Sequence, residues 1–140
     1  MGRVLAIDYG QKRVGLAVTD ENRIIANQLD TVHVSEIFGY LHQYVNREKV
    51  DIIVVGEPRQ MNYTLSDAGR FTEPFVKKLK KEFPNILVER ADERFTSKLA
   101  SRAILEAGLK KKDRQDKALV DRVSATILLQ SWMEAQTYKH

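Results

Sequence analysis

The sequence predicts an α/β protein built on a five-stranded mixed sheet, order 3-2-1-4-5, with helices on both faces. Three observations carry that expectation. Strand-like runs at Val4–Gly10, Arg13–Thr19 and roughly Ile24–Val34 follow one another across short polar turns, as hairpins do. Two further apolar runs, Asp51–Gly56 and Ile86–Arg90, each follow a helical pattern, so they should pair in parallel through right-handed crossovers. The first and fourth runs are the most apolar and belong in the middle of the sheet.

Each element has its own signal. Val4-Leu5-Ala6-Ile7 is apolar without alternation, so the first strand should be covered on both faces. Asp20-Glu21-Asn22-Arg23 reads as the second turn. Ser35 is placed as an N-cap, and Ile37, Phe38, Leu41 and Val45 recur at helical spacing through Arg47. The fourth strand breaks at Pro58, and Gln60–Asp67 is a polar loop. Ala68, Phe71, Phe75 and Leu79 predict a helix that either kinks at Pro74 or starts at Thr72 with Pro74 in its first turn. The fifth strand runs on toward Asp92-Glu93-Arg94. Thr96 caps a helix over Lys98–Ala107, with Gly108 as its stop. Lys110–Lys117 is a charged loop, and Ala118–Glu134 is the last helix. With 140 residues, no internal repeat and no linker, a single domain over 1–140 is expected.

Composition narrows the chemistry. The chain contains no cysteine, which excludes disulfides, thiolate metal sites and cysteine nucleophiles. No apolar stretch approaches the roughly 20 residues that span a bilayer, and the N-terminus carries no signal-peptide pattern, so a cytoplasmic protein without membrane partners is expected. The net charge of +4 permits a polyanionic partner without demanding one. His33, His42 and His140 are scattered and read as surface or packing residues.

The acids are more telling. Asp8 ends a buried apolar run, where a carboxylate needs a cation, a hydrogen-bond network or a metal. In open α/β sheets, ligands bind at the carboxyl ends of the strands, beside the switch in direction. That rule gathers Asp8, Glu57, Asp92 and Glu93 at one edge. Asp121 aligns with Ala125, Leu128 and Trp132 on one helical face, so it shares the stripe that faces the sheet. Converging carboxylates suit hard divalent ions such as Mg²⁺ or Mn²⁺, which activate water and stabilise a leaving oxygen. The blander alternatives are strand-end acids facing solvent and an ion pair of Asp121 with Arg122 or a nearby lysine. Lys12-Arg13 follows Asp8, and the 110–117 loop carries five cations against two acids. An acidic pit rimmed with cations suits a phosphodiesterase holding a nucleic-acid backbone, the alternative for the loop being a solvated connector.

Three segments resemble one family. Leu5 to Asp20, with Asp8-Tyr9-Gly10-Gln11-Lys12-Arg13 at its heart, is similar to the opening motif of the YqgF (RuvX) family. Asp92-Glu93-Arg94-Phe95-Thr96-Ser97 resembles its Asp-Glu-Arg motif, and Val120–Ser131 resembles its C-terminal helix. The resemblance implies an RNase H-like fold and a metal-binding catalytic set of Asp8, Glu93 and Asp121. Two departures stand out: Gly56-Glu57-Pro58 where the family has Gly-Leu-Pro, and Gln60-Met61-Asn62-Tyr63-Thr64 where it has Asn-Met-Asp-Gly-Thr. Glu57 is therefore a candidate fourth catalytic acid, and Tyr63 a candidate stacking surface for a base. Lys12, Arg13, Arg94, Lys110, Lys111, Lys112 and Arg114 are the candidate backbone contacts.

The function implied is a Mg²⁺- or Mn²⁺-dependent nuclease acting on structured RNA, trimming the 5′ end of precursor 16S rRNA, with ribosomal particles as possible partners. The same chemistry on a four-way DNA junction is the alternative; symmetric cutting would require a dimer, whereas the RNA reading allows a monomer or a homodimer. Two other classes compete. A kinase-like nucleotide-binding domain also begins Asp-x-Gly after a strand, but that architecture uses two domains around a cleft. A non-catalytic assembly module would be expected to lack one of the acids.

Overall fold

The structure, a computed structural model, describes residues 2–57, 67–92 and 116–137, with the side chains of 57, 67–71, 92 and 137 outside that description. The strands are β1 (Arg3–Tyr9), β2 (Arg13–Thr19), β3 (Ala26–His33), β4 (Val50–Glu57) and β5 (Leu87–Asp92). The helices are α1 (Ile37–Arg47), α2 (Asp67–Glu82) and α3 (Lys117–Thr137). The sheet order is β3-β2-β1-β4-β5, as the sequence predicts. β1 pairs antiparallel with β2 and parallel with β4, and β4 pairs parallel with β5. The direction switch therefore falls at β1.

The strand period of two sorts β1 onto both faces of the sheet. Leu5 and Ile7, with Leu16, Ile53 and Val55, meet Ile37, Leu41 and Tyr44 of α1 and Phe75, Val76 and Leu79 of α2. Val4 and Ala6, with Ala17 and Val54, meet Ala125, Leu128 and Leu129 of α3. All four residues Val4–Ile7 are fully buried, which explains why the run shows no alternation. Asp8 continues the α3-facing series of Val4 and Ala6. On β2, Arg13 and Gly15 lead into Ala17 on that same face.

Several boundaries differ from expectation, each for a local reason. β3 begins at Ala26 rather than Ile24, because Asp20 Oδ1 accepts the amides of Ile24 and Ile25 at 2.7 and 2.9 Å. That turn, with Arg23 at φ 56°, leaves both isoleucines exposed. Ser35 is not the cap of α1. A 3-10 turn over Val34–Glu36 precedes the helix, and the His33 side chain caps it by accepting the Ser35 amide at 3.1 Å. The helix of α2 starts at Asp67 and runs through Pro74. α3 starts one residue early because the Asp116 carboxylate accepts the amides of Ala118 and Leu119, at 3.1 and 3.3 Å, in N-cap fashion. The helix expected over Lys98–Ala107 lies outside the described residues.

Candidate functional site

The site is built where β1 stops. Gly10 and Arg13 close the β1–β2 turn with an amide-to-carbonyl bond of 3.0 Å, and the Val34 amide donates to the Lys12 carbonyl at 2.9 Å. A Cβ on Gly10 would collide with the Arg13 carbonyl, so the turn needs glycine there. Pinned on both sides, the turn sets Lys12 exposed and Arg13 half-buried.

Register then brings the helix acid to the strand acid. Asp8 lies directly across from Gly15 on β2. Gly15 is where α3 touches the sheet: a Cβ built on it would run into the Asp121 carbonyl oxygen and lie 3.1 Å from the Asp121 Cβ. Glycine inside a strand often marks such a close backbone approach. Asp8 and Asp121 therefore flank one bare position on the sheet. Thr31 Oγ1 on β3 donates to the Ala118 carbonyl at 2.7 Å and fixes the first turn of α3.

Asp121 already holds a cation. Arg13 Nε donates to Asp121 Oδ2 at 2.7 Å, with the side chains 41% and 22% exposed. The distance lies in the range of a charge-assisted bond. The expected alternative partner, Arg122, instead reaches Gln28 Oε1 at 3.4 Å. On the opposite face Tyr9 stacks on Phe75, centroids 4.1 Å apart, and burial raises its phenol pKa.

Glu57 and Asp92 end β4 and β5 as Cα partners at the same carboxyl edge of the sheet. Glu93, Arg94, Lys110, Lys111, Lys112, Arg114 and Tyr63 lie outside the described residues. The structure thus pairs Arg13 with Asp121 and puts Asp8 across from Gly15, where the Asp121 backbone rests, with Lys12 exposed on the adjoining turn. Gly15, Thr31 and Asp116 are positioning residues that sequence reasoning misses; a glycine inside an apolar strand run is the available signal for the first of them. Among the described residues, no group of three or more His, Cys, Asp or Glu is placed to hold a metal. Carboxylates such as those of Asp8 and Asp121 offer oxygen donors only, the kind a hard divalent cation prefers. The guanidinium at Asp121 shows that this spot accommodates positive charge.

Fold and site together define the class. "T. thermophilus RuvC in complex with Holliday junction substrate" is similar at TM-score 0.59 and 17% identity, covering 99% of this chain and 97% of that one. A second Thermus thermophilus RuvC structure is similar at TM-score 0.56 and 18% identity, covering 97% and 96%. The protein has a RuvC-type, RNase H-like fold. It belongs to the RuvX family, described as Holliday junction resolvase, which matches residues 2–135. Relatives from Bacteroides fragilis and Bacteroides thetaiotaomicron are 55% identical over 136 residues and 54% over 138. These alignments cover 97% and 99% of this chain, and 99% and 100% of the relatives. Both relatives, and one from Phocaeicola vulgatus at 55% identity over 99% of each chain, are named "Putative pre-16S rRNA nuclease".

Proposed function

We propose that this chain is a divalent-metal-dependent nuclease that hydrolyses phosphodiester bonds of structured RNA, trimming the 5′ end of precursor 16S rRNA. The observation that supports the reading is that the Asp121 backbone rests on Gly15, the cross-strand partner of Asp8, with Asp121 paired to Arg13. Membership of the RuvX family, and the names its relatives carry, supply the substrate class.

Asp8 and Asp121, joined by Glu93, would hold Mg²⁺ or Mn²⁺, with Glu57 as a possible fourth acid. A bound ion lowers the pKa of a water and neutralises charge on the leaving oxygen. The protein's own residues do the positioning. The pinned turn would present Lys12 and Arg13 to the phosphate backbone, and Arg94, Lys110, Lys111, Lys112 and Arg114 are the further candidate backbone contacts. Gly15, Thr31 and the Asp116 cap set the depth of α3, and with it Asp121. Ribosomal precursor particles as partners and the cytoplasm as compartment belong to the same proposal. No helix among the described residues is long and apolar enough to cross a membrane.

The family's own description favours a second reading, cleavage of a four-way DNA junction. Two symmetric cuts would then require two sites in a dimer. Side-by-side cleavage of a precursor 16S leader and a four-way junction in Mg²⁺ or Mn²⁺, with Asp8→Asn as the blank, separates the two. The proposal expects cleavage of the RNA at the mature 5′ end. Cleavage of the junction alone would transfer the function to DNA, and cleavage of neither would leave a binding module.

A further inference from the structure

We propose that Arg13 is an exchangeable stand-in for the metal: it neutralises Asp121 while the site holds no divalent ion, and moves to a backbone phosphate when one binds. This rests on the metal-dependent reading above. Four observations lead to it.

First, the Asp121 backbone rests on Gly15, the cross-strand partner of Asp8, which puts two acidic residues next to one bare position. Like charges brought together away from bulk water need a counter-ion. Arg13 meets that need at 2.7 Å.

Second, Asp121 does not depend on Arg13 for its place. Its backbone rests on Gly15, and its helix is tied down by Thr31 and capped by Asp116. The backbone that carries the carboxylate therefore stays put when its cation is exchanged.

Third, Arg13 is free to leave. It is the first residue of β2, its side chain is 41% exposed, and it adjoins exposed Lys12. Moving the guanidinium outward removes little buried surface and brings it beside a second cation at the rim.

Fourth, the charges fix the direction of exchange. A divalent ion at the carboxylates attracts them about twice as strongly as a monovalent group at equal distance, and it repels the guanidinium. A nucleic-acid backbone then offers Arg13 a phosphate, which its planar donor fork suits. Because linkage is reciprocal, metal and nucleic acid each strengthen the other's binding by the same factor.

The test measures binding, not turnover, on the full chain. Mn²⁺ affinity is determined calorimetrically without nucleic acid for wild type, Arg13→Gln, Arg13→Lys and Asp121→Asn. Removing the competing cation should tighten Mn²⁺ binding about fivefold in Arg13→Gln, about 1 kcal/mol. Arg13→Lys should stay within about twofold of wild type. Binding of the precursor 16S leader, titrated with salt, should show Arg13→Gln losing about one phosphate contact, a slope change of about 0.7–0.9, in Mg²⁺ but not in EDTA. In wild type, Mg²⁺ should shift the Arg13 Nε–H resonance, a readout that needs no variant to fold.

The outcomes separate cleanly. Asp121→Asn binding Mn²⁺ as tightly as wild type overturns the metal-site reading and this proposal with it. Asp121→Asn losing Mn²⁺ while Arg13→Gln binds no tighter than wild type overturns the exchange alone. So does a slope change that is equal with and without Mg²⁺, or an Arg13 Nε–H resonance that Mg²⁺ leaves unmoved.

Discussion

Replacing Gly15 with alanine probes the contact on which the site is built. The added Cβ would meet the Asp121 carbonyl oxygen and come within 3.1 Å of the Asp121 Cβ. Because the obstacle is helix backbone, no side-chain rotation relieves it. α3 must retreat by roughly 1 Å before ordinary van der Waals separation returns. Overpacking of this kind costs about 1–3 kcal/mol. Loss of glycine's freedom in the unfolded chain offsets about 0.4–1 kcal/mol of that. The net should be about 1–2 kcal/mol, lowering Tm by roughly 4–8 °C in a chain of this size. The chemical effect should be larger. A displacement of that order can cost about 100-fold in rate, because Asp121 moves away from Asp8.

The assay pairs thermal melting with metal-dependent cleavage, measured well below Tm. Leu41→Ala is the control. Leu41 is fully buried among the α1, α2 and sheet residues on the other face, so its loss costs about 2–5 kcal/mol without touching Asp121. Leu41→Ala should be the less stable and the more active of the two. Gly15→Ala with unchanged Tm and full cleavage would refute it, as would equal loss of cleavage in the folded control.

Three further predictions follow from other parts of the molecule. Neutralising Lys110, Lys111 and Lys112 together should weaken RNA binding and flatten its salt dependence by a slope of about 2–3; an unchanged slope would return that loop to the role of connector. Asp116→Ala should remove the cap of α3 at a cost of about 1 kcal/mol and lower Tm by about 4 °C, read by differential scanning calorimetry. Burial, reinforced by the Asp30 carboxylate, pushes the Tyr40 phenol up to about 12. Its folded pKa thus exceeds the ordinary value of about 10, so its share of stability is complete below pH 10 and is lost as pH rises toward 12. Denaturant titrations from pH 9 to 12 should show that loss in wild type and a smaller one in Tyr40→Phe.

Much of this architecture is legible in the sequence because the signals are local. Val4–Ile7 shows no alternation, and the reason is that α1 and α2 cover one face while α3 covers the other. The alignment of Asp121 with Ala125, Leu128 and Trp132 places the acid on the sheet-facing side of α3 from periodicity alone, and Ala125 and Leu128 are indeed buried there. What the sequence hides are pairings between distant segments. Arg13 and Asp121 lie 108 residues apart, so no spacing rule joins them. Spacing favours nearby Arg122 as the partner, and it reaches Gln28 instead. Ile24 and Ile25 look like strand residues by composition. The carboxylate of Asp20 captures their amides and holds them in the turn, a local hydrogen bond overriding β propensity. His33 takes the capping role expected of Ser35, because the chain enters α1 through a 3-10 turn.

The central claim is that Asp8 and Asp121 make one metal-dependent cleavage site. The most direct test is the single-turnover rate of Asp8→Asn on the precursor 16S leader in saturating Mn²⁺, beside its melting curve. The expected result is a fold as stable as wild type within a few degrees and cleavage reduced to the metal-free background. An Asp8→Asn protein that cuts the leader at the wild-type rate would contradict it.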